Sequence, residues 1–324
     1  MVSMTRMNRL LELDFPNRCA TVQPGLINLW LSQATREHGY YFAPDPSSQM
    51  VSSIGGNAST NAGGPHCLKY GITVNHVLGL ELVTGAGEIL RVGGKAQDPP
   101  GYDLTGALVG GEGTLGLLTA ITVRLLHVPA GVKTLLASFA AIDDASEAVS
   151  AIVGAGIIPA ALEMIDETFV RAINEGVGAG YPKGAGAVLL DRAGWPRGGD
   201  RGPGRTHRAD LPRSRRPRDP GGQGRCGAGP PLEGTQGGGG RGGSHVAHVD
   251  SQDAVVPRSR LPEIMREVQA IGARHRLVIA NVFHAGDGNL HPMILYNDHI
   301  PGDLERAHEA NDELLRACLA MGAA

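Results

Sequence analysis

Aromatic residues are scarce in this 324-residue chain, at 4% for Phe, Trp and Tyr together, and neither sign of charge prevails, with a net charge of −3. No global field therefore draws the chain to nucleic acid or to an acidic membrane, and a basic surface interleaved with stacking rings is missing. Cysteine is sparse as well. Cys19, Cys67, Cys226 and Cys318 lie far apart without a CxxC pair, which excludes a zinc knuckle and a disulfide framework and fits a reducing compartment. No apolar run approaches the ~18 residues that would span a bilayer. The opening MVSMTRMNRLLELDF has basic residues but no sustained apolar core, so it is not a secretory signal. These absences give the expectation of a soluble cytoplasmic protein, at most peripheral to the inner membrane, with no transmembrane segment and no nucleic-acid partner.

What is present is glycine (48 residues), proline (21) and an ordinary hydrophobic share of 42%. The length suffices for two domains, since domains run to roughly 100–200 residues. Short strand-like pieces at Met7–Leu13 and Cys19–Val22 precede a helical spacing over Leu26–His38 that stops at Gly39. Residues 44–71, rich in Pro, Ser, Gly and Asn, read as one long loop. Val77–Thr84 and Glu88–Val92 around Gly85-Ala-Gly87 read as a hairpin, and Leu117–Leu126 as a strand. From about Ala130, strands at Lys133–Phe139, Ala161–Ile165 and Gly186–Leu190 alternate with helices at Ser146–Gly154 and Glu167–Ile173. An amphipathic helix at Leu261–Arg274, strands at Val278–Phe283 and Met293–Tyr296, and a helix at Asp303–Leu319 close the chain.

Three constellations carry chemistry. The first is PDPSS (Pro44–Ser48) followed by SIGGNASTNAGG (Ser53–Gly64) and LKYG (Leu68–Gly71). Its glycines allow close backbone approach, so successive amides can converge on an anion; a surface loop with turn residues explains the same composition. The second is VGGEGTLGLLT (Val109–Thr119), a Gly-rich turn feeding a strand. Neither piece is a GxGxxG turn placed after a strand with an acidic residue following it, nor GxxxxGK[ST], so the standard NAD and nucleoside-triphosphate fingerprints are missing. The third is ANVFHAGDGNLHP, in which His284 and His291 flank a Gly-rich bend with Asp287 and Asn289 nearby. Imidazoles at the ends of adjacent strands can share one metal; two histidines hydrogen-bonded to a turn are the plainer alternative.

Taken together and in this order, PDPSS, IGGNASTNAGGPHCLKYG, VLGLELVTGAGEILRVGG and GGEGTLGLLTAITVRL resemble the FAD-binding domain of vanillyl-alcohol oxidase-type (PCMH-type) flavoenzymes. The nearest likeness is to FAD-linked glycolate oxidase subunits and D-lactate dehydrogenases. HAGDGNLHP and DAVVPRSRLPEI (Asp253–Ile264) resemble the substrate domain of the same D-2-hydroxy-acid dehydrogenases. The resemblance implies an α+β fold, with a partial FAD-binding domain over 1–129 and an α+β cap domain over 130–191 and 248–324. It implies FAD held non-covalently, with Asp45, Ser47, Gly55, Gly56, Asn57, Gly63, Gly71, Glu112, Gly113 and Thr114 around it. It also implies His284 and His291 as ligands of a divalent metal such as zinc. The expected reaction is oxidation of a small D-2-hydroxy acid, glycolate or D-lactate, by hydride transfer to the flavin, with FAD-binding and iron–sulfur subunits as partners. It assigns no catalytic residue to a position of this chain.

Residues 192–247 stand apart. Gly, Arg and Pro dominate them, and Lys, Ile, Phe and Tyr do not occur. Such a composition buries too little apolar surface to offset chain ordering. A disordered insertion, an Arg/Gly-rich nucleic-acid segment and a shifted reading frame in a GC-rich gene each produce it, and the abrupt change in patterning favours the last. Against the family, the chain is expected to start after a first FAD subdomain and to stop before a Gly-Glu-His segment that supplies a third metal ligand. Alongside an active oxidoreductase, three alternatives therefore stay open: an inactive fragment of one, a zinc hydrolase centred on His284 and His291, and an RNA-associated protein.

Overall fold

A computed structural model describes residues 2–96, 100–195 and 248–323. They form two compact units, Met1–Ala130 and Gly131–Ala324.

In the first unit, β1 (Leu10–Asp14), β2 (Cys19–Val22), β4 (Val77–Val83), β5 (Ile89–Gly93) and β6 (Leu117–Arg124) make one antiparallel sheet in the order β1-β2-β6-β4-β5. Alternate residues of β2 and β6 turn inward, as a half-buried sheet requires, while a register shift near Gly79 spaces Val77 and Leu80 of β4 three apart. Their apolar side chains meet Leu31 of α1 (Asn28–Arg36) and Ile54 and Ala58 of α2 (Ile54–Thr60) in one core. A minimal pair, β3 (Tyr40–Tyr41) with β7 (Leu126–His127), and two short helices, α3 (Cys67–Tyr70) and α4 (Leu104–Leu108), complete the unit.

The stretch 44–71 is not the continuous loop that its composition suggests: it contains α2 and α3. Ser53 caps α2 by accepting the Gly56 N–H at 3.1 Å, and Asn61 ends it in the left-handed conformation with φ 51°. Capping and burial of Ile54 and Ala58 outweigh the poor helix propensity of two adjacent glycines.

The second unit is built on a seven-stranded antiparallel sheet. Along it run β11 (His248–Ser251), β14 (Asn289–Tyr296), β13 (Val278–His284), β9 (Ala161–Asp166), β10 (Ala187–Trp195) and β8 (Gly131–Phe139), with β12 (Ala254–Val255) also paired to β14. Among the described residues four α-helices, α5 (Ile142–Gly154), α6 (Glu167–Val177), α7 (Leu261–His275) and α8 (Asp303–Ala320), accompany the sheet. All six residues of β9 are buried, although two of them, Glu163 and Asp166, are acidic.

Two elements run further than their apolar residues indicate. β10 continues to Trp195 opposite Gly131, since a ladder is made by backbone groups and the register set by Ala187–Leu190 carries on. β14 begins at Asn289 and so takes in His291. The Gly/Arg/Pro-rich segment was expected to be disordered or out of frame over 192–247; residues 192–195 instead belong to β10, and 196–247 lie outside the described residues.

Candidate functional site

In the first unit the two glycine-rich constellations lie against each other. The Gly110 N–H donates to the Ala58 carbonyl and the Glu112 N–H to the Ser59 carbonyl, both at 2.9 Å, so the Val109–Thr119 turn is tied along α2. Glu112 (φ 49°) and Gly113 (φ 79°) are both left-handed, and a Cβ built on Gly113 meets nothing within 4 Å. Glu112, Gly113, Thr114 and Gly56 are exposed, and Thr114 Oγ1 donates back to the Gly111 carbonyl at 2.6 Å.

A second pair of loops closes beside Asp45. Its carboxylate sits 2.6 Å from His66 Nδ1, and a Cβ on Gly64 would come within 2.6 Å of the Asp45 carbonyl oxygen. The bare glycine thus lets the 44–48 and 63–67 segments touch. Gly63 faces Cys67 Sγ, which accepts the Gly64 N–H at 3.0 Å. Ser47 is exposed on the PDPSS turn.

Not every glycine of this group faces outward. The space a side chain would need at Gly55 is filled by Pro24, 2.4 Å from the built Cβ, and at Gly71 by the Asn75 side chain at 2.3 Å. At these two positions the protein's own packing accounts for glycine. Asn57 behaves differently. It is 3% exposed, and its carboxamide nitrogen has no hydrogen-bond partner, an arrangement that costs free energy unless an acceptor arrives. The buried Asn57 donor, the open side of Gly113 and the exposed turn at Glu112 fit a group gripped by main chain and amide. FAD is such a group.

In the second unit a cluster forms where β9, β13 and β14 run side by side. His284 lies opposite Glu163 across β13 and β9, and Val282 lies opposite His291 across β13 and β14. The Glu163 Oε2 to His284 Nδ1 distance is 2.7 Å, and the two imidazoles meet edge to face with centroids 4.9 Å apart. His291 Nδ1 is also 3.7 Å from Asp253. Burial, helped by the His284 imidazole, pushes the His291 pKa below its usual value, so its neutral form is favoured. Burial pushes the Asp287 carboxyl up, against the pull of His284 and of the Asn289 N–H. The Gly286 N–H donates to the Leu162 carbonyl at 3.1 Å, which pins the turn between the histidines onto β9.

His284 and His291 can furnish two nitrogens to one ion. No group of three or more His, Cys, Asp or Glu arranged for a metal occurs among the described residues. Glu163 is the residue that motif reading overlooks. Its signal lies in ALEMI (Ala161–Ile165), a carboxyl in the middle of a run otherwise apolar enough for a fully buried strand, where only a partnered carboxyl is tolerable.

Comparison with known proteins shows the family. Residues 1–93 match the family described as FAD binding domain, and residues 128–193 and 238–323 match FAD linked oxidases, C-terminal domain. The chain is 39% identical over 329 residues to the glycolate oxidase subunit GlcD of Escherichia coli K12, covering 98% of this chain and 64% of that protein. It is 37% identical to GlcD of Bacillus subtilis 168, covering 98% and 67%. It is 29% identical to a probable mitochondrial D-lactate dehydrogenase of Danio rerio, covering 98% and 65%. The chain thus spans about two thirds of the length of these relatives, 64–67%. A solved structure of alkyldihydroxyacetonephosphate synthase shares the fold with a TM-score of 0.72 at 17% identity, over 99% of this chain and 62% of that one. The chain belongs to the FAD-linked oxidases, with the α+β architecture and the flavin cofactor of that family.

Proposed function

We propose that this chain works in an FAD-dependent oxidoreductase that oxidises a small D-2-hydroxy acid, glycolate or D-lactate. The observation that carries the reading is the pair of hydrogen bonds tying the Glu112 turn to α2, which joins in one place the two segments on which the flavin-domain likeness rests. The names of the three relatives, glycolate oxidase subunit and D-lactate dehydrogenase, supply the substrate class. Bound FAD supplies the two-electron acceptor for the α-hydrogen of the acid.

On this reading the residues divide the work. Asn57 offers its buried amide to the cofactor, and the Gly113 region leaves the backbone bare for close approach. Gly56 presents the exposed side of α2, and Asp45, Ser47 and Gly63 line the neighbouring loops, held in place by the Asp45–His66 pair. In the second unit, His284 and His291 serve the hydroxyl and carboxylate of the acid, directly or as two ligands of a divalent ion such as zinc. We further propose FAD-binding and iron–sulfur partner subunits, in keeping with the word subunit in the GlcD name, and a cytoplasmic location peripheral to the inner membrane. No helix among the described residues is long and apolar enough to cross a membrane.

The test is anaerobic. Purified chain loaded with FAD is mixed with glycolate, D-lactate or L-lactate, and the flavin absorbance is followed. Bleaching by glycolate or D-lactate but not by L-lactate is expected. Stoichiometric FAD that none of the acids bleaches would mean that the cofactor reading holds and the substrate reading fails. Failure to retain FAD would overturn both.

A further inference from the structure

We propose that Glu163 is the positioning residue of the second unit: it fixes His284 as the Nδ1–H tautomer, so that the basic nitrogen of this imidazole is Nε2. A neutral imidazole carries one proton, and the hydrogen bond made by one nitrogen decides which nitrogen bears it. With Glu163 ionised, the 2.7 Å contact from His284 Nδ1 to Glu163 Oε2 makes that choice, because a carboxylate only accepts.

The contact is built in rather than incidental. Glu163 is 4% exposed, in the middle of a strand whose residues are all buried, and it is paired across the sheet with His284 on one side and Leu190 on the other. Directly opposed residues of an antiparallel pair have Cβ atoms roughly 4.5–5.5 Å apart. Cross-strand register therefore brings carboxyl and imidazole together without help from a flexible loop. The turn that follows His284 is held to the same strand by the bond from the Gly286 N–H to the Leu162 carbonyl. A leucine would suit β9 at position 163 without the desolvation cost of a carboxyl, so a buried acid here needs partners, and His284 is one of them.

Consequently the ring of His284 stands in one orientation with its lone pair at Nε2, next to the edge-to-face ring of His291. Such an imidazole is fit to take a proton from a substrate hydroxyl or to ligate an ion, and outer partners of this type orient ligand histidines in many sites. The assignment stands on the contact alone, whether or not the chain reduces flavin.

The experiment is long-range ¹H–¹⁵N correlation on the full chain labelled at histidine, above the imidazole titration range, with His284→Gln used to assign the signals. The wild type is expected to show His284 protonated at Nδ1 and unprotonated at Nε2. Glu163→Gln, whose carboxamide oxygen still accepts, should keep that pattern, and Glu163→Leu should lose it in favour of protonation at Nε2. Protonation at Nε2 in the wild type would overturn the proposal whether or not the variants fold. So would a folded Glu163→Leu, checked by circular dichroism, that keeps the wild-type pattern, for Glu163 would then be only a strut.

Discussion

Asp166 serves two elements with one carboxyl. Its Oδ1 accepts the Phe169 N–H at 2.8 Å and so caps α6, while its Oδ2 accepts the backbone and side-chain N–H groups of Asn281 on β13 at 2.9 and 2.8 Å. Burial pushes its pKa up, and these same bonds pull the other way. Asp166→Ala would strand three buried donors, so we expect a loss of about 3–5 kcal/mol, read from the urea midpoint of the second unit. Asp14 illustrates the opposite case. The Asn17 side chain, then Lys95 and the Asn17 N–H, hold its carboxyl at about 2, below the ordinary 3.8. A depressed carboxyl contributes stability that is present above its ordinary value and lost as pH falls through the folded one. The double change Asn17→Ala, Lys95→Met should therefore flatten the acid limb of first-unit stability between about pH 4 and 2. Equilibrium unfolding at stepped pH measures this.

At the scale of elements, the β13–β14 hairpin is the one on which the histidine pair depends. Its turn needs Gly288, which has φ 84° and would place a Cβ 2.2 Å from the Val256 carbonyl oxygen. Gly288→Ala would strain the left-handed backbone and force that carbonyl away, disturbing the bond from the Val256 N–H to the Gly288 carbonyl. We expect a cost of about 2 kcal/mol or more, seen in thermal unfolding. We also expect broadened His284 and His291 signals, since their spacing rests on this turn. The hairpin was readable in advance from the apolar stretches Val278–Phe283 and Met293–Tyr296 on either side of a Gly-Asp-Gly bend. Helix α2 was not, because two glycines and three small polar residues look like a loop until Ser53 is seen capping them and Ile54 and Ala58 are seen buried.

On the scale of the whole molecule, each unit encloses a core of its own, around Leu31, Phe42 and Ile121 in the first and around Ile165, Phe169 and Val188 in the second. The two tryptophans are shared out likewise, Trp30 to the first unit and Trp195 to the second. In a Trp195→Phe protein, fluorescence therefore reports the first unit alone. FAD at 100 times its Kd should stabilise that transition by about 2.7 kcal/mol if it binds only the folded unit. Denaturant unfolding with and without FAD checks this, and an unmoved Trp30 transition would place the cofactor elsewhere.

The order of motifs along the chain was enough to show the resemblance to the flavin family and to single out the two histidines, whereas spacing alone left surface turns as an equal explanation. It could also give the alternation of strands and helices, since burial of one face imposes a period. Which strands become neighbours was left to the tertiary structure. Glu163 and His284 lie 121 positions apart and meet only because β9 pairs with β13. At Gly55 and Gly71, which look in the sequence like any other glycine of the group, the space a side chain would need is taken by Pro24 and Asn75. Local pattern fixes what each segment can be, whereas long-range hydrogen-bond register and packing choose its companions, and a site made of companions takes shape only when the chain has folded.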